Sequence, residues 1–179
     1  AHCAAVVTGG TGAIGGAIIN GLAAKGARHL VTTVRPGAAG AARASAFARA
    51  FRARWPSSRL DLITADLSSP SDLDSLCGAL NRLPVRVLVN NAAAAPRDRR
   101  QAADGVEMQV TPDRIPSQDQ HGTYRRGHVV LTVHGCRAQL AVNVLAYAKL
   151  MDCLRGILAV HRPSRIVNVG SDMMEGLDP

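Results

Sequence analysis

Residues 8–15 read TGGTGAIG, four glycines and two threonines in eight positions, directly after the apolar run Ala4-Ala5-Val6-Val7. Glycine loses the most backbone freedom on folding, so such a cluster needs a steric reason. Three chemistries compete for it: a flexible linker, a loop around a nucleoside triphosphate, or a turn that brings backbone N–H groups against a dinucleotide's pyrophosphate. The linker fails because the cluster lies between an apolar strand pattern and a helical one. The triphosphate loop has Gly10 and Gly15 at the right separation, but Gly16 and Ala17 stand where a phosphate-binding Lys and a Mg²⁺-binding hydroxyl are needed.

The dinucleotide turn remains. Gly10, Gly12 and Gly15 satisfy GxGxxG, and Gly9, Gly12 and Gly15 satisfy TGxxGxxG. A helix beginning near Ala13 offers its positive end to the anion. Gly9, Thr11, Gly12, Ile14 and Gly15 are the expected contact residues. The choice of cofactor turns on the end of the second strand, where an NAD-binding chain places a carboxylate for the ribose hydroxyls. Here Val34 is followed by Arg35, and the first acid in the sequence is Asp61. A guanidinium suits the extra 2′-phosphate of NADP. The alternative is a surface arginine in an arginine-rich chain, which leaves NAD open.

Strands and helices must alternate to position that turn. The patterns predict strands at Ala4–Thr8, His29–Val34, Leu60–Ala65, Val85–Val89 and Arg165–Val169. They predict helices at Ile14–Lys25, around Phe47, Phe51 and Trp55, at Ser71–Leu83 and at Leu140–Val160. Phe47, Phe51 and Trp55 recur every fourth residue, an apolar stripe for the core rather than a base-stacking platform. The fold class expected is α/β, a Rossmann-type doubly wound parallel sheet with about five strands present, forming a single domain over residues 1–179.

Composition bounds the reading. A chain of 179 residues with 47% hydrophobic residues forms one globular core, built from aliphatics because aromatics are only 3%. The formal charge of +8 is concentrated in residues 1–60, which hold eight Lys or Arg and no acid. That favours an anionic ligand there, or is a solvated basic face. Nucleic acid is excluded as a partner by the lack of exposed aromatics or a recognition motif. Cys3, Cys77, Cys136 and Cys153 have no regular spacing and read as reduced thiols. No apolar run reaches the length of a membrane span. The protein is therefore expected to be soluble, in the cytoplasm or an organelle. The absence of an initiator Met and the start almost inside a strand suggest an incomplete sequence. His121, His128, His134 and Cys136 fit no common zinc spacing, and no metal is expected.

Further motifs make the chain resemble the short-chain dehydrogenase/reductase family. "ADLSS" at 65–69 looks like the family's adenine-pocket motif, with Asp66 and Leu67 flanking the base. "NNAA" at 90–93 is a one-residue variant of NNAG, which adds Asn90, Asn91 and Ala92 to the cofactor set. "SRIVNVGS" at 164–171 resembles the strand leading to the catalytic serine, here Ser171, and "AVN" ends at Asn143. "ADGVEMQ" and "PSRIVNV" are similar to the retinol-dehydrogenase, WW-domain-oxidoreductase and protochlorophyllide-reductase branch. "TGGTG" and "GARHL" are similar to polyketide ketoreductase domains.

The resemblance implies an NADP-dependent oxidoreductase moving hydride between nicotinamide and a carbonyl or alcohol substrate. Ser171 would hold the carbonyl and Asn143 would help position a water relay. It also implies a Tyr-x-x-x-Lys pair for proton transfer, the lysine's charge making the phenol a usable acid at neutral pH. Tyr124 is followed at the fourth position by His128 and Tyr147 by Met151, so the pair is absent here and is expected beyond Pro179. The chain alone is then expected to be inactive. The competing classes are a non-catalytic NADP-binding remnant and a basic anion-binding module. The helix from Leu140 would contribute to a homodimer in a longer chain.

The stretch Val110–Gln139 stands apart, an irregular insertion of thirty residues without apolar periodicity. Joining Gln109 to Leu140 gives "ADGVEMQLAVNVLAY", the family's continuous pattern. The block reads as a retained intron translated in frame, with a lid over the cofactor as its rival.

Overall fold

The computed structural model of the chain describes residues 3–94 and 140–170. The stretch 110–139, with its histidines and Cys136, and Ser171 lie outside the described residues. Five strands form one parallel sheet: β1 (Ala4–Val7), β2 (His29–Val34), β3 (Arg59–Thr64), β4 (Val85–Asn90) and β5 (Arg165–Asn168), in the spatial order β3-β2-β1-β4-β5. Helices α1 (Ala13–Ala24), α2 (Ala38–Arg54), α3 (Pro70–Leu80) and α4 (Ala146–Val160) flank it. This is the Rossmann-type arrangement that the alternation of patterns predicts.

β1 is buried along its whole length because it is the central strand. Its side chains alternate between two cores, as a pleated strand requires. Ala4 and Val6 face the core under α3 and α4, with Leu76, Leu80, Leu150 and Leu154. Ala5 and Val7 face the core under α1 and α2, with Ile19, Ala23, Ala48 and Phe51. A register shift against β4, where Ala4 pairs Val85 but Ala5 pairs Val87, leaves Arg86 as the extra residue and sends both Val85 and Leu88 to the first core.

The Phe47–Phe51–Trp55 stripe packs as core; Phe51 is buried and Trp55 Nε1 donates to Asn20 Oδ1 at 2.7 Å. The strand ends and α1 shift by at most one residue, and two helices differ more. α3 begins at Pro70, whose fixed φ suits the first helical position, and ends at Leu80 rather than Leu83. Leu83 N–H turns back to the Leu80 carbonyl just before Pro84. The helix expected from Leu140 opens with a π-helical turn, Ala141–Leu145, before α4.

The cysteine expectation is corrected. Cys77 on α3 and Cys153 on α4 are bridged by a disulfide, with Cα atoms 6.0 Å apart. The two helices pack side by side on one face of the sheet, which brings together thiols 76 residues apart. Cys3 is free. Among the described residues no helix is long and apolar enough to cross a membrane.

Candidate functional site

The chain leaves β1, builds α1, β2, α2 and β3 on one side, then crosses to β4 on the other side of β1. The loops after β1 and β4 therefore diverge, and a crevice opens between them at the carboxyl ends of the strands. A cleft of about 290 Å³ lies there, and Gly9, Thr11, Arg35, Asp66, Leu67 and Ala92 line it with Thr33, Arg43 and Val142. Six of the residues singled out in the sequence thus meet in one place.

The glycine turn is shaped from behind by buried threonines. Gly9 N–H donates to Thr33 Oγ1 at 3.0 Å and Gly10 N–H to Thr32 Oγ1 at 2.8 Å. Thr32 in turn donates to the Val7 carbonyl at 2.6 Å. Gly9 sits at φ +66°, in the left-handed region, with Ala92 against it. At Gly15 a Cβ would stand 2.5 Å from the Gly9 carbonyl oxygen and 2.6 Å from Asn91 Nδ2. Only glycine lets α1 start this close to the turn.

α1 begins without a side-chain cap and without an acid in its first turn, Gly12 being its N-cap. α3 shows the contrast, for Ser69 caps it by accepting the Asp72 N–H at 3.3 Å. The first N–H groups of α1 are left for an external acceptor, which is the arrangement that binds a phosphate. Ile14, in that first turn, is 63% exposed. A pyrophosphate fits this cradle by steric room and by charge.

Asn90 and Asn91 do not line the cleft; they support it. Asn91 Nδ2 donates to the Thr8 carbonyl at 2.9 Å, and Thr8 Oγ1 accepts both the Asn91 and Ala92 N–H groups at 2.9 Å. Asn90 is fully buried and donates from Nδ2 to Asn168 Oδ1 at 2.8 Å, tying β4 to β5. Asp66 turns its carboxylate to the Ser68 N–H and hydroxyl, at 2.9 and 2.7 Å, while its own N–H donates to Asp72 Oδ2. The buried Leu67 beside it gives the cleft an apolar wall.

Asn143 lies in the π-helical turn with its amide against the backbone of Ala94. Tyr147, one turn later, donates its hydroxyl to the Ala92 carbonyl at 2.7 Å. Burial raises the Tyr147 phenol above its ordinary value. That is the wrong direction for a proton-transfer group and the right one for a fixed donor.

Sequence reading missed Arg43 and the three threonines. Thr32 and Thr33 carried a signal, two polar residues in a strand buried throughout. Thr8 carried less, since its partners are more than eighty residues away.

Solved structures of similar shape share this architecture. A short-chain dehydrogenase from Sphingobium yanoikuyae in complex with NADPH is 21% identical, with a TM-score of 0.67 over 97% of this chain and 56% of its own. A blue fluorescent protein from a metagenomic library, also in complex with NADPH, is 25% identical, with a TM-score of 0.63 over 99% of this chain and 59% of its own. The RhlG/NADP active-site complex from Pseudomonas aeruginosa is 27% identical, with a TM-score of 0.58 over 94% of this chain and 54% of its own. The chain thus spans somewhat more than half the length of these structures. No curated protein sequence matches it. Residues 3–108, more than half of the chain, match the KR domain family. With the parallel sheet, the glycine turn and the switch-point cleft in place, the chain belongs to the KR domain family.

Proposed function

We propose that the cleft binds NADP(H) and that the protein is an oxidoreductase acting between a carbonyl and an alcohol. One observation carries the reading. The cleft joins an open phosphate cradle at Gly9–Gly15 to Arg35 at the end of β2, with no carboxylate at that strand end. A ribose diol needs an acceptor there, whereas a 2′-phosphate needs a cation. NADPH in two of the similar structures supports the same choice.

When bound, the nicotinamide supplies the hydride. Thr11 and the first turn of α1 would hold the cofactor's pyrophosphate, and Ala65, Asp66 and Leu67 would border its adenine. Ser171, three residues past the end of β5, holds the substrate carbonyl. Asn143 keeps the loop after β4 in register with the cleft. The motifs "ADGVEMQ" and "PSRIVNV" support a likeness to the retinol-dehydrogenase-like branch, and "TGGTG" and "GARHL" one to ketoreductase domains.

Proton transfer is the missing part. No Tyr-x-x-x-Lys occurs in the 179 residues, and Tyr147 is engaged with Ala92. General acid–base help contributes about 10²–10⁴-fold in rate. The chain by itself therefore binds the cofactor without turning it over, the second reading being a cofactor-binding remnant. Titrating NADPH and NADH against the chain tests the binding. Tighter NADPH binding, reversed or narrowed in Arg35→Asp by about 1–3 kcal/mol, is expected. Tighter NADH binding defeats the assignment, and NADPH-dependent reduction of a carbonyl panel at ordinary enzyme rates defeats the inactivity.

A further inference from the structure

We infer that Arg43 is a second specificity-determining residue, a guanidinium that shares the ribose phosphate with Arg35. The inference rests on the reading of the cleft as an NADP(H) site. Arg43 stands one turn beyond Ala39 on α2, and Ala39, Gly40 and Arg43 line the same cleft as Arg35, Asp66 and Leu67. The adjoining stripe of the helix, Ala44, Ala48 and Phe51, is buried, which fixes the rotation of α2 about its axis. Gly40 fixes its distance: a Cβ there would overlap the Arg35 carbonyl oxygen. The helix therefore packs on the Arg35 main chain, and Arg35 and Arg43 line the same cleft.

Both are available to a ligand. Neither Arg35 nor Arg43 forms an ion pair among the described residues, and residues 1–60 contain no acid. Among the described residues the one acid in the cleft lining is Asp66, whose carboxylate Oδ1 already accepts from Ser68 twice. Two uncompensated arginines lining one cleft repel each other, and an anion between them relieves the repulsion. A phosphate monoester carries close to two charges and three terminal oxygens. One guanidinium takes two of those oxygens in a planar fork, which leaves an oxygen and most of a charge for the second. A ribose diol offers nothing to either. Arg43 therefore raises affinity for the phosphorylated cofactor and leaves the other form nearly untouched.

The test is fluorescence titration of NADPH and NADH on the wild-type chain and on Arg43→Ala, Arg43→Lys and Arg35→Ala. Arg43→Ala is expected to weaken NADPH about tenfold, the size of one lost charge-assisted hydrogen bond, with NADH unchanged within about twofold. Arg43→Lys recovers part of the loss, since it restores the charge without the fork. The NADPH preference also shrinks with added salt in the wild type and less so in Arg43→Ala. If the wild type prefers NADPH and Arg43→Ala keeps the same preference, Arg43 has no such role while the cleft assignment survives. An equal loss for both cofactors makes Arg43 a general attractor and overturns the inference. A wild-type chain that binds neither cofactor removes the underlying reading and this inference together.

Discussion

Asn143 clasps the backbone of Ala94 at both groups: its Oδ1 accepts the Ala94 N–H at 2.8 Å and its Nδ2 donates to the Ala94 carbonyl at 3.2 Å. The loop after β4 is thereby pinned to the π-helical turn that leads into α4. Tyr147 adds a third point at the Ala92 carbonyl. Asn143→Ala strips both partners from Ala94, a loss of about 1–3 kcal/mol. Asn143→Asp keeps the acceptor and loses the donor, so it should fall between. Urea midpoints read the series, and an Asn143→Ala chain as stable as wild type would remove the pinning role. Tyr147→Phe should cost about 1 kcal/mol, because one hydrogen bond goes and the ring still packs.

At the other end of the sheet, Asp61 joins His29 Nε2 and Arg59 Nε, each at 2.8 Å. Burial pushes the Asp61 carboxyl up, but hydrogen bonds from Arg59 and His29 together with the charge of the guanidinium outweigh it. The net pKa lies below the ordinary carboxylate value. A depressed pKa stabilises the fold fully above the unfolded value, about 3.9, and the contribution is lost as pH falls through the folded value. Solvent weakens it, since Arg59 is 70% exposed. Asp61→Asn should therefore lower stability by a constant amount at neutral pH, the gap to wild type closing from about pH 5 downward. A gap that persists unchanged to pH 2 would contradict the assignment.

What was legible in the sequence was local. The glycine turn follows β1 immediately, Arg35 follows β2 immediately, and Phe47, Phe51 and Trp55 share one helix. Each can be read from spacing because its neighbours in space are its neighbours in chain. The supports were not legible for the opposite reason. Asn143 meets Ala94 across 49 residues, Thr8 meets Asn91 across 83, and Cys77 meets Cys153 across 76. Periodicity says which face of an element is buried and nothing about which distant element covers it. Arg43 shows the middle case. Its helix was expected and its charge was plain, but only the packing of α2 against the sheet and on Arg35 sets it in the cleft lining.

The bridge between Cys77 and Cys153 closes a long loop, so it removes much freedom from the unfolded chain. Breaking it should cost about 2–4 kcal/mol. Wild type with dithiothreitol, Cys77→Ala and Cys153→Ala should all show a similar drop in urea midpoint. The double variant should lose no more than either single one, because the bridge is one object. Alkylation of unreduced folded protein followed by peptide mass analysis provides a direct check. Free Cys77 and Cys153 thiols there would remove the bridge from the account.

Two glycines of α1 separate steric necessity from conformational cost. A Cβ at Gly15 would meet the Gly9 carbonyl and Asn91 Nδ2, groups that shape the phosphate cradle, and none of them can retreat without losing a hydrogen bond or the turn. Gly21, in the same helix, has nothing within 4 Å of the corresponding position. Gly15→Ala should therefore destabilise by about 1–3 kcal/mol, the cost of overpacking, and weaken NADPH binding as well. Gly21→Ala should stabilise by about 0.4–1 kcal/mol, since alanine restricts the unfolded chain and fits an exposed helical site. Its cofactor affinity should match wild type. The pair controls for helix propensity, which predicts a gain at both positions. If Gly15→Ala is also stabilised and binds NADPH normally, the close start of α1 on the glycine turn is not what holds the site.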